Sequence, residues 1–523
     1  MRPWHRVWPA GLPRSLDAPA VPAWWLLERN LPRFADRVAL RELDPETLAE
    51  RRALTYEALF RAARGAATGL QDQGVGAGSR IAVCLPNGAG LVVGYYAAWY
   101  AGAAIVPVNP LAHESEIEHQ LADAAVSLVV ARAGSRGHAV AVRLKLPVVD
   151  TEAFQAMEAM PPGRPAPCRP ADDVAVLLYT GGTTGSPKGA MLTHRNIVVN
   201  TLQFAGWYAF AHGDETSLGV IPMYHSGGMS GVMNVPLSAG ATCVALPRFS
   251  APAVARAVSR HGVTRLFGVP TMFIALLNDA EGRRADYSRL RACRTNAAPL
   301  PPAVKHSFDG LVGREVLVEG YGLTETSPLT HANPVGRAKP GSIGIPIPDT
   351  DARIVDLESG RDVPAGAAGE LLIRGPQVMR GYWNRPEETA RAIEAGWLHT
   401  GDVATMDAEG YFAIVDRKKD VINTAGFKVW PREVEEVLYT HPAIKLAAVV
   451  GVPDDYRGEA VKAFVVLTDD DRGRVAEAEL VDFCRARLTA YKVPRSVELR
   501  TDLPITTTGK LRRRLLRDDG RSP

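Results

Sequence analysis

The chain has 523 residues, too many for a single hydrophobic core, so two or more domains are expected. Its 46% hydrophobic and 22% charged residues are ordinary for a globular protein and exclude disorder of the whole chain. The 60 basic and 57 acidic residues leave a net charge of +3, without the concentrated basic excess of a nucleic-acid binder. The five cysteines (Cys84, Cys168, Cys243, Cys293 and Cys484) are scattered and form no CxxC pair. Neither a disulfide framework nor a zinc site is indicated, and a reducing, cytoplasmic setting fits best.

The opening residues (MRPWHRVWPAGLPRS) carry charge but no continuous apolar run, unlike a secretory signal. Residues 80–85 (RIAVCL) predict a buried strand. Residues 88–106 (GAGLVVGYYAAWYAGAAIV) have no charge and approach the length of a bilayer span. Four glycines, with Pro86 before and Pro107 just after, predict instead a buried helix followed by a short strand. Residues 126–130 (VSLVV) and Val174–Thr180 (VAVLLYT) predict further strands, the second running into a glycine-rich loop and then a helix from about Thr193. Alternation of this kind predicts mainly parallel sheets, and 161–170 (PPGRPAPCRP) reads as a surface connection.

The pattern changes after about residue 340, where glycine turns separate short strands. The DAEG of 407–410, between VATM and YFAIV, predicts a hairpin in a β-barrel or antiparallel sheet. Pro431 predicts the first turn of a helix, because its fixed φ and missing N–H suit that position, and Pro442 closes it. The last hundred or so residues read as a small mixed α and β domain. Arg512, Arg513, Arg514 and Arg517 read as a solvated terminal face.

The strongest local signal is YTGGTTGSPKG at 179–189. Glycines let the backbone approach a ligand closely, exposed N–H groups form an anion nest, and the hydroxyls and Lys188 add phosphate donors. The register is not that of a P-loop, because Pro187 precedes the lysine and Gly189 follows it.

This segment resembles the phosphate loop of the adenylate-forming superfamily: acyl-CoA synthetases, luciferases and peptide-synthetase adenylation domains. Further segments match in the same order: YHSGG from Tyr224, YGLTE from Tyr321, Gly401-Asp402, DRKKD from Asp416, Gly426, and TGK ending at Lys510. The resemblance covers nearly the whole chain. It implies a multidomain α/β protein whose large N-terminal domain (1–417) has two α/β subdomains and a β-barrel-like subdomain. A small mobile α+β C-terminal domain (418–523) would follow, with a hinge near Lys419.

The implied reaction explains these residue types. A carboxylate is a poor electrophile, and its attack on the ATP α-phosphate makes a mixed anhydride from which AMP leaves readily. Two anions must meet, so positive groups have to converge on the α-phosphate. The resemblance implies that Thr180, Thr183, Thr184 and Lys188 hold the β- and γ-phosphates, Thr324 the α-phosphate, and Glu325 magnesium. It implies that Tyr321 stacks on adenine, that Asp402 accepts from the ribose hydroxyls with Arg417 beside it, and that Lys510 bridges α-phosphate and carboxylate. In a second pose of the C-terminal domain Lys510 withdraws and the loop at Gly426 faces the pantetheine of coenzyme A.

His225, Gly228, Asn296 and Ala297 fall at the implied acyl site, where the small residues after His225 leave room for a chain or ring. Asn296 departs from the family's Ser-Gly-(Gly/Ala)-Ala-Pro-like pattern. It either shortens the pocket or offers a hydrogen bond to a polar acyl substituent. The expected activity is an ATP-dependent acid–CoA ligase using Mg2+, with medium- or long-chain fatty acids first and aryl or short polar acids next. An acyl-AMP ligase serving another carrier is the further alternative, although 402–431 leaves no room for the insertion such ligases carry. YHSGG holds no acid to pair with an amino-acid substrate, and a nucleotide-binding regulator without catalysis would lack Lys510, Glu325 or Asp402. The expected partners are the acid, ATP and coenzyme A, with peripheral rather than spanning membrane contact, in a monomer or homodimer.

Overall fold

The computed structural model describes residues 2–180, 187–454, 456–504 and 511–519. Among them, two large sheets dominate the first part of the chain. One runs, strand by strand, Ile345–Pro346, Leu329–Ala332, Leu317–Gly322, Ala292–Thr295, Arg265–Gly268, Thr216–Gly219, Thr242–Ala245, Val38–Leu43 and Glu50–Thr55. The other runs Gly381–Tyr382, Lys188–Thr193, Val174–Thr180, Ala104–Pro107, Arg80–Cys84, Leu128–Ala131 and Val148–Val149. The central pairings of both are parallel, as the strand–helix alternation predicts.

The uncharged stretch at 88–106 forms the helix Ala89–Tyr100 and the strand Ala104–Pro107. The helix is apolar all round because it is buried on every side. Its aromatic residues keep their polar ends satisfied: Trp99 Nε1 donates to the Ala175 carbonyl (2.9 Å) and Tyr95 Oη to that of Met223 (2.9 Å). No helix among the described residues is long and apolar enough to cross a membrane.

The helix expected from about Thr193 forms, but a strand that was not expected precedes it: Lys188–Thr193 returns antiparallel to Val174–Thr180. KGAMLT buries most of its residues while leaving Lys188 and Met191 half-exposed, which suits a sheet better than a helical turn. The pairing sets Thr180 opposite Lys188 and Tyr179 opposite Gly189. The helix His194–Trp207 then starts from a capping box, with Thr193 Oγ1 accepting from Asn196 N and Asn196 Oδ1 from Thr193 N.

The chain folds as two compact units. One takes in the chain through residue 180, Pro187–Ala352 and Ile373–Leu398; the other takes in Arg353–Leu372 and the chain from His399 on. In the second unit the DAEG hairpin forms as expected: Asp402 pairs with Arg417 and Met406 with Phe412, while Asp407 Oδ1 accepts from the Glu409 and Tyr411 N–H groups. Ile444–Asp454 and Gly458–Leu467 form a long antiparallel pair, extended by Ile422–Thr424, Phe427–Val429 and, in parallel, Ser496–Leu499. The helix Pro431–Tyr439 buries Val434 and Leu438 with Val449, Val465 and Leu480.

Two of the four terminal arginines, Arg513 and Arg517, correct the solvated-face reading, while Arg512 and Arg514 are exposed as expected. Arg513 forks onto Glu435 (2.9 and 2.7 Å) and lies 3.5 Å from Asp420, while Arg517 reaches Asp420 at 3.5 Å. Burial opposes the charge on Arg513, but Glu435 and Asp416 outweigh it and raise the pKa. These side chains pin the helix Arg513–Asp519 to the domain instead of facing water.

Candidate active site

In the first unit, the strands Val174–Thr180 and Lys188–Thr193 bring Thr180 and Lys188 side by side at the end where the chain passes from one to the other. The Lys188 ammonium pairs with Glu388 and lies 5.2 Å from the centre of the Tyr382 ring. That pairing holds the Glu388 carboxyl below its ordinary range. Tyr382 Oη donates to Glu325 Oε1 at 2.8 Å. Burial, and then the Glu325 charge, push the phenol up, so it stays protonated and remains a donor. Sequence residues more than 190 positions apart thus form one chain of contacts, Glu388–Lys188–Tyr382–Glu325. Tyr382 and Glu388 were not anticipated, because nothing in GYWNRPEE marks them locally.

Thr324 and Glu325 open a short 3₁₀ turn, Thr324–Thr326, directly after the strand Leu317–Gly322. The turn is held by Met379 N donating to the Glu325 carbonyl (2.8 Å) and Thr326 Oγ1 donating to that of Pro328 (2.6 Å). Tyr321 is half-buried at the strand end, its ring edge-on to His331 at 6.0 Å. On the opposite flank of the hairpin, Tyr179 Oη donates to Asp123 Oδ2 at 2.7 Å, and Arg385 reaches the other oxygen at 3.0 Å. Thr183, Thr184 and Lys510 lie outside the described residues.

His225 precedes the short helix Ser226–Gly228, half-buried with its ring 5.0 Å from that of Tyr224. A π-helical turn, Met229–Asn234, follows at once, a distortion common at functional sites. Two of the glycines here leave no open room: a Cβ on Gly228 would stand 2.0 Å from the Pro222 carbonyl oxygen, and one on Gly231 would stand 2.5 Å from the Phe267 ring. They allow close packing of backbone and rings, whereas a Cβ on Gly227 would meet only ordinary contacts with the Phe267 ring, at 3.6 Å. Asn296 is half-buried, and Ala297 adopts a left-handed φ of 72°, a strained setting for a residue with a side chain.

In the second unit, Asp402 is 6% exposed and its Oδ1 lies 3.4 Å from Arg417 Nε. The antiparallel pairing of their strands fixes that proximity. Lys419 reaches solvent, yet the protein crowding its ammonium, and then the Arg417 charge, draw its pKa down to about 8, while Asp420 and Asp402 pull the other way. Ala425 (φ 50°) and Gly426 (φ 86°) make the two-residue turn between Ile422–Thr424 and Phe427–Val429. The space beside the Gly426 α-carbon is open.

A fold of this kind, with a hydroxyl- and lysine-bearing hairpin beside a Thr-Glu turn, is that of an adenylate-forming enzyme. Family models for "AMP-binding enzyme" match residues 27–383 and for "AMP-binding enzyme C-terminal domain" match 433–510. A long-chain-fatty-acid–CoA ligase of Bacillus subtilis is 40% identical over 99% of this chain and 98% of its own length. A feruloyl-CoA synthase of Amycolatopsis is 40% identical over 88% of this chain and 92% of its own. The crystal structure of ATP-bound MatB from Rhodopseudomonas palustris superposes with a TM-score of 0.87 at 29% identity, covering 96% of this chain and 99% of the other. The chain belongs to the AMP-binding enzyme family, within the acyl-CoA synthetases of the adenylate-forming superfamily. Its activity is that of an ATP-dependent acid–CoA ligase.

Proposed function

We propose that the acid is a fatty acid of medium or long chain and that the reaction runs in two half-reactions. An oxygen of the carboxylate attacks the α-phosphorus of ATP, the bond to pyrophosphate breaks, and acyl-AMP forms. The thiol of coenzyme A then attacks the acyl carbon, its proton is lost, and AMP leaves with the bonding pair. The full-length identity of 40% to a long-chain-fatty-acid–CoA ligase carries the choice of acid. The identity to a feruloyl-CoA synthase keeps aryl acids as the second reading.

In this reading Lys188 and the hydroxyls of Thr180, Thr183 and Thr184 hold the β- and γ-phosphates, and nucleotide entry frees Lys188 from Glu388. Thr324 donates to the α-phosphate and Tyr321 lies against adenine. The Asp402 carboxylate accepts from the ribose hydroxyls while Arg417 steadies it. Lys510 neutralises the reacting oxygens during adenylation and gives way to the Gly426 turn when the thiol attacks, with Lys419 as the hinge. His225, Gly228, Asn296 and Ala297 border the acyl group.

Mg2+ fits Glu325. The ion is commonly held by one or two carboxylates together with substrate phosphates and water, and this carboxylate has one oxygen oriented by Tyr382. When bound, the ion would share the phosphate charge. A cytoplasmic location belongs to the same proposal.

The test is a panel of saturated and aryl acids with ATP and coenzyme A. Pyrophosphate release and coenzyme A consumption that both depend on a medium- or long-chain acid support the reading. Turnover confined to aryl acids would replace it by the second. Pyrophosphate release with no loss of free thiol would point to a different acceptor.

A further inference from the structure

The strand Ala292–Thr295 carries an arginine for which the fold supplies no counter-ion. Arg294 is 4% exposed, and its Nε and both terminal nitrogens have no hydrogen-bond acceptor among the described residues. Its guanidinium carbon lies 3.8 Å from the Phe204 ring centre, 4.0 Å from that of Phe267 and 5.6 Å from that of Tyr208. Burial draws its pKa down to about 10, which still leaves it a cation at neutral pH. The adjoining strand shows what the fold does when it pairs such a group. Arg265 there binds Glu215 at 2.6 Å and the Tyr208 carbonyl at 2.9 Å. Ring faces compensate a buried guanidinium only in part, and they satisfy none of its five N–H donors. Two further buried hydroxyl oxygens, Tyr208 Oη and Thr295 Oγ1, also lack partners among the described residues.

The location ties this unmet demand to the acyl group. Cys293 points into the cluster containing Phe308, so Arg294, next along the strand, faces the other side of the sheet, toward the helix His194–Trp207 that bears Phe204. A Cβ on Gly231 would stand 2.5 Å from the Phe267 ring and 3.3 Å from that of Phe204. The two tilted rings that flank the guanidinium are therefore also the rings packed on the glycine segment after His225. Asn296 and Ala297 lie two and three residues after Arg294, just past the strand end at Thr295.

We infer that Arg294 receives a second carboxylate at the far end of the acyl chain, so that the preferred substrates are α,ω-dicarboxylic fatty acids. The inference rests on the reading of the enzyme as a fatty acid–CoA ligase. A guanidinium fork matches a carboxylate bidentately. A methyl terminus leaves the fork unpaired, and a site with buried donors rejects an analogue that cannot fill them far more strongly than it rejects a missing methylene.

The test compares kcat/KM for thioester formation with mono- and dicarboxylic acids matched in carbon number, in the wild type and in Arg294→Met. The wild type is expected to favour the diacid by ~100-fold or more, and Arg294→Met to invert the order, mainly through KM of the diacid. A wild type that prefers the monoacid overturns the inference, and so does a variant that slows both acids equally. In either case Arg294 is a structural cation held by aromatic rings. The wild-type ratio decides even where Arg294→Met does not fold. Turnover of monoacids alone leaves the fatty-acid reading standing and sinks only the inference. Absence of acid-dependent pyrophosphate release with either kind sinks both.

Discussion

Tyr382→Phe isolates one bond in the proposed centre. The substitution removes the hydroxyl that donates to Glu325 Oε1 at 2.8 Å but keeps the ring beside the Lys188 ammonium. A hydrogen bond to a charged group contributes about 1.5–3 kcal/mol when its partner cannot find a substitute. If that energy fixes the carboxylate for Mg2+ and phosphate, the loss converts to a roughly 10- to 150-fold drop in kcat/KM for ATP. The assay is pyrophosphate release at varied Mg2+ and fixed saturating acid, with the melting temperature measured alongside. The Mg2+ concentration for half-maximal rate should rise, because a freely rotating carboxylate is a poorer ligand. An unchanged Mg2+ requirement with a lowered melting temperature would refute the argument, since the bond would then serve folding alone.

Lys510→Ala should lose acyl-AMP formation by orders of magnitude yet largely keep thioester formation from supplied acyl-AMP. Lys419→Pro should do the reverse by stiffening the hinge, and equal loss of both half-reactions in each variant would argue against alternation. Acid should destabilise the protein through His194, whose buried Nδ1 accepts from Ala23 N at 3.0 Å. Burial lowers its pKa from 6.5 to about 4, so the unfolded chain binds the extra proton first. That stabilisation is complete above pH 6.5 and disappears as the pH falls toward 4, amounting to about 3 kcal/mol. Urea unfolding should be correspondingly less pH-dependent in His194→Gln than in the wild type.

The parts of the fold that could be read from the sequence are those where local pattern and tertiary role coincide. The apolar run at 88–106, the strand Val174–Thr180 and the DAEG turn all form as their residues imply. Lys188–Thr193 escaped because a short, half-exposed segment beginning with lysine and glycine takes its strand character from its partner. Thr180 and Lys188 could be singled out as candidates because glycines, hydroxyls and a lysine crowd into eleven residues, 179–189, and the strand pairing sets the two opposite each other. Tyr382 and Glu388 could not be, since their meaning arises only when the chain returns to Lys188. Arg294 was invisible for a different reason. A charge inside LRACRTN looks unremarkable until the fold encloses it without an acid.

The hairpin at Thr180 and Lys188 has an electrostatic cost. In a strand-to-helix loop the amide ends of the helix would point at the phosphates, but here five strand steps, roughly 17 Å, separate Lys188 from the helix cap at Thr193. The field of a helix terminus fades within its first turn. In the proposed reading, a triphosphate docked at this clasp meets no helix terminus, so side-chain cations, backbone N–H groups and the divalent ion would share its charge. Chelating that ion should therefore weaken nucleotide binding itself, rather than only slow the chemistry.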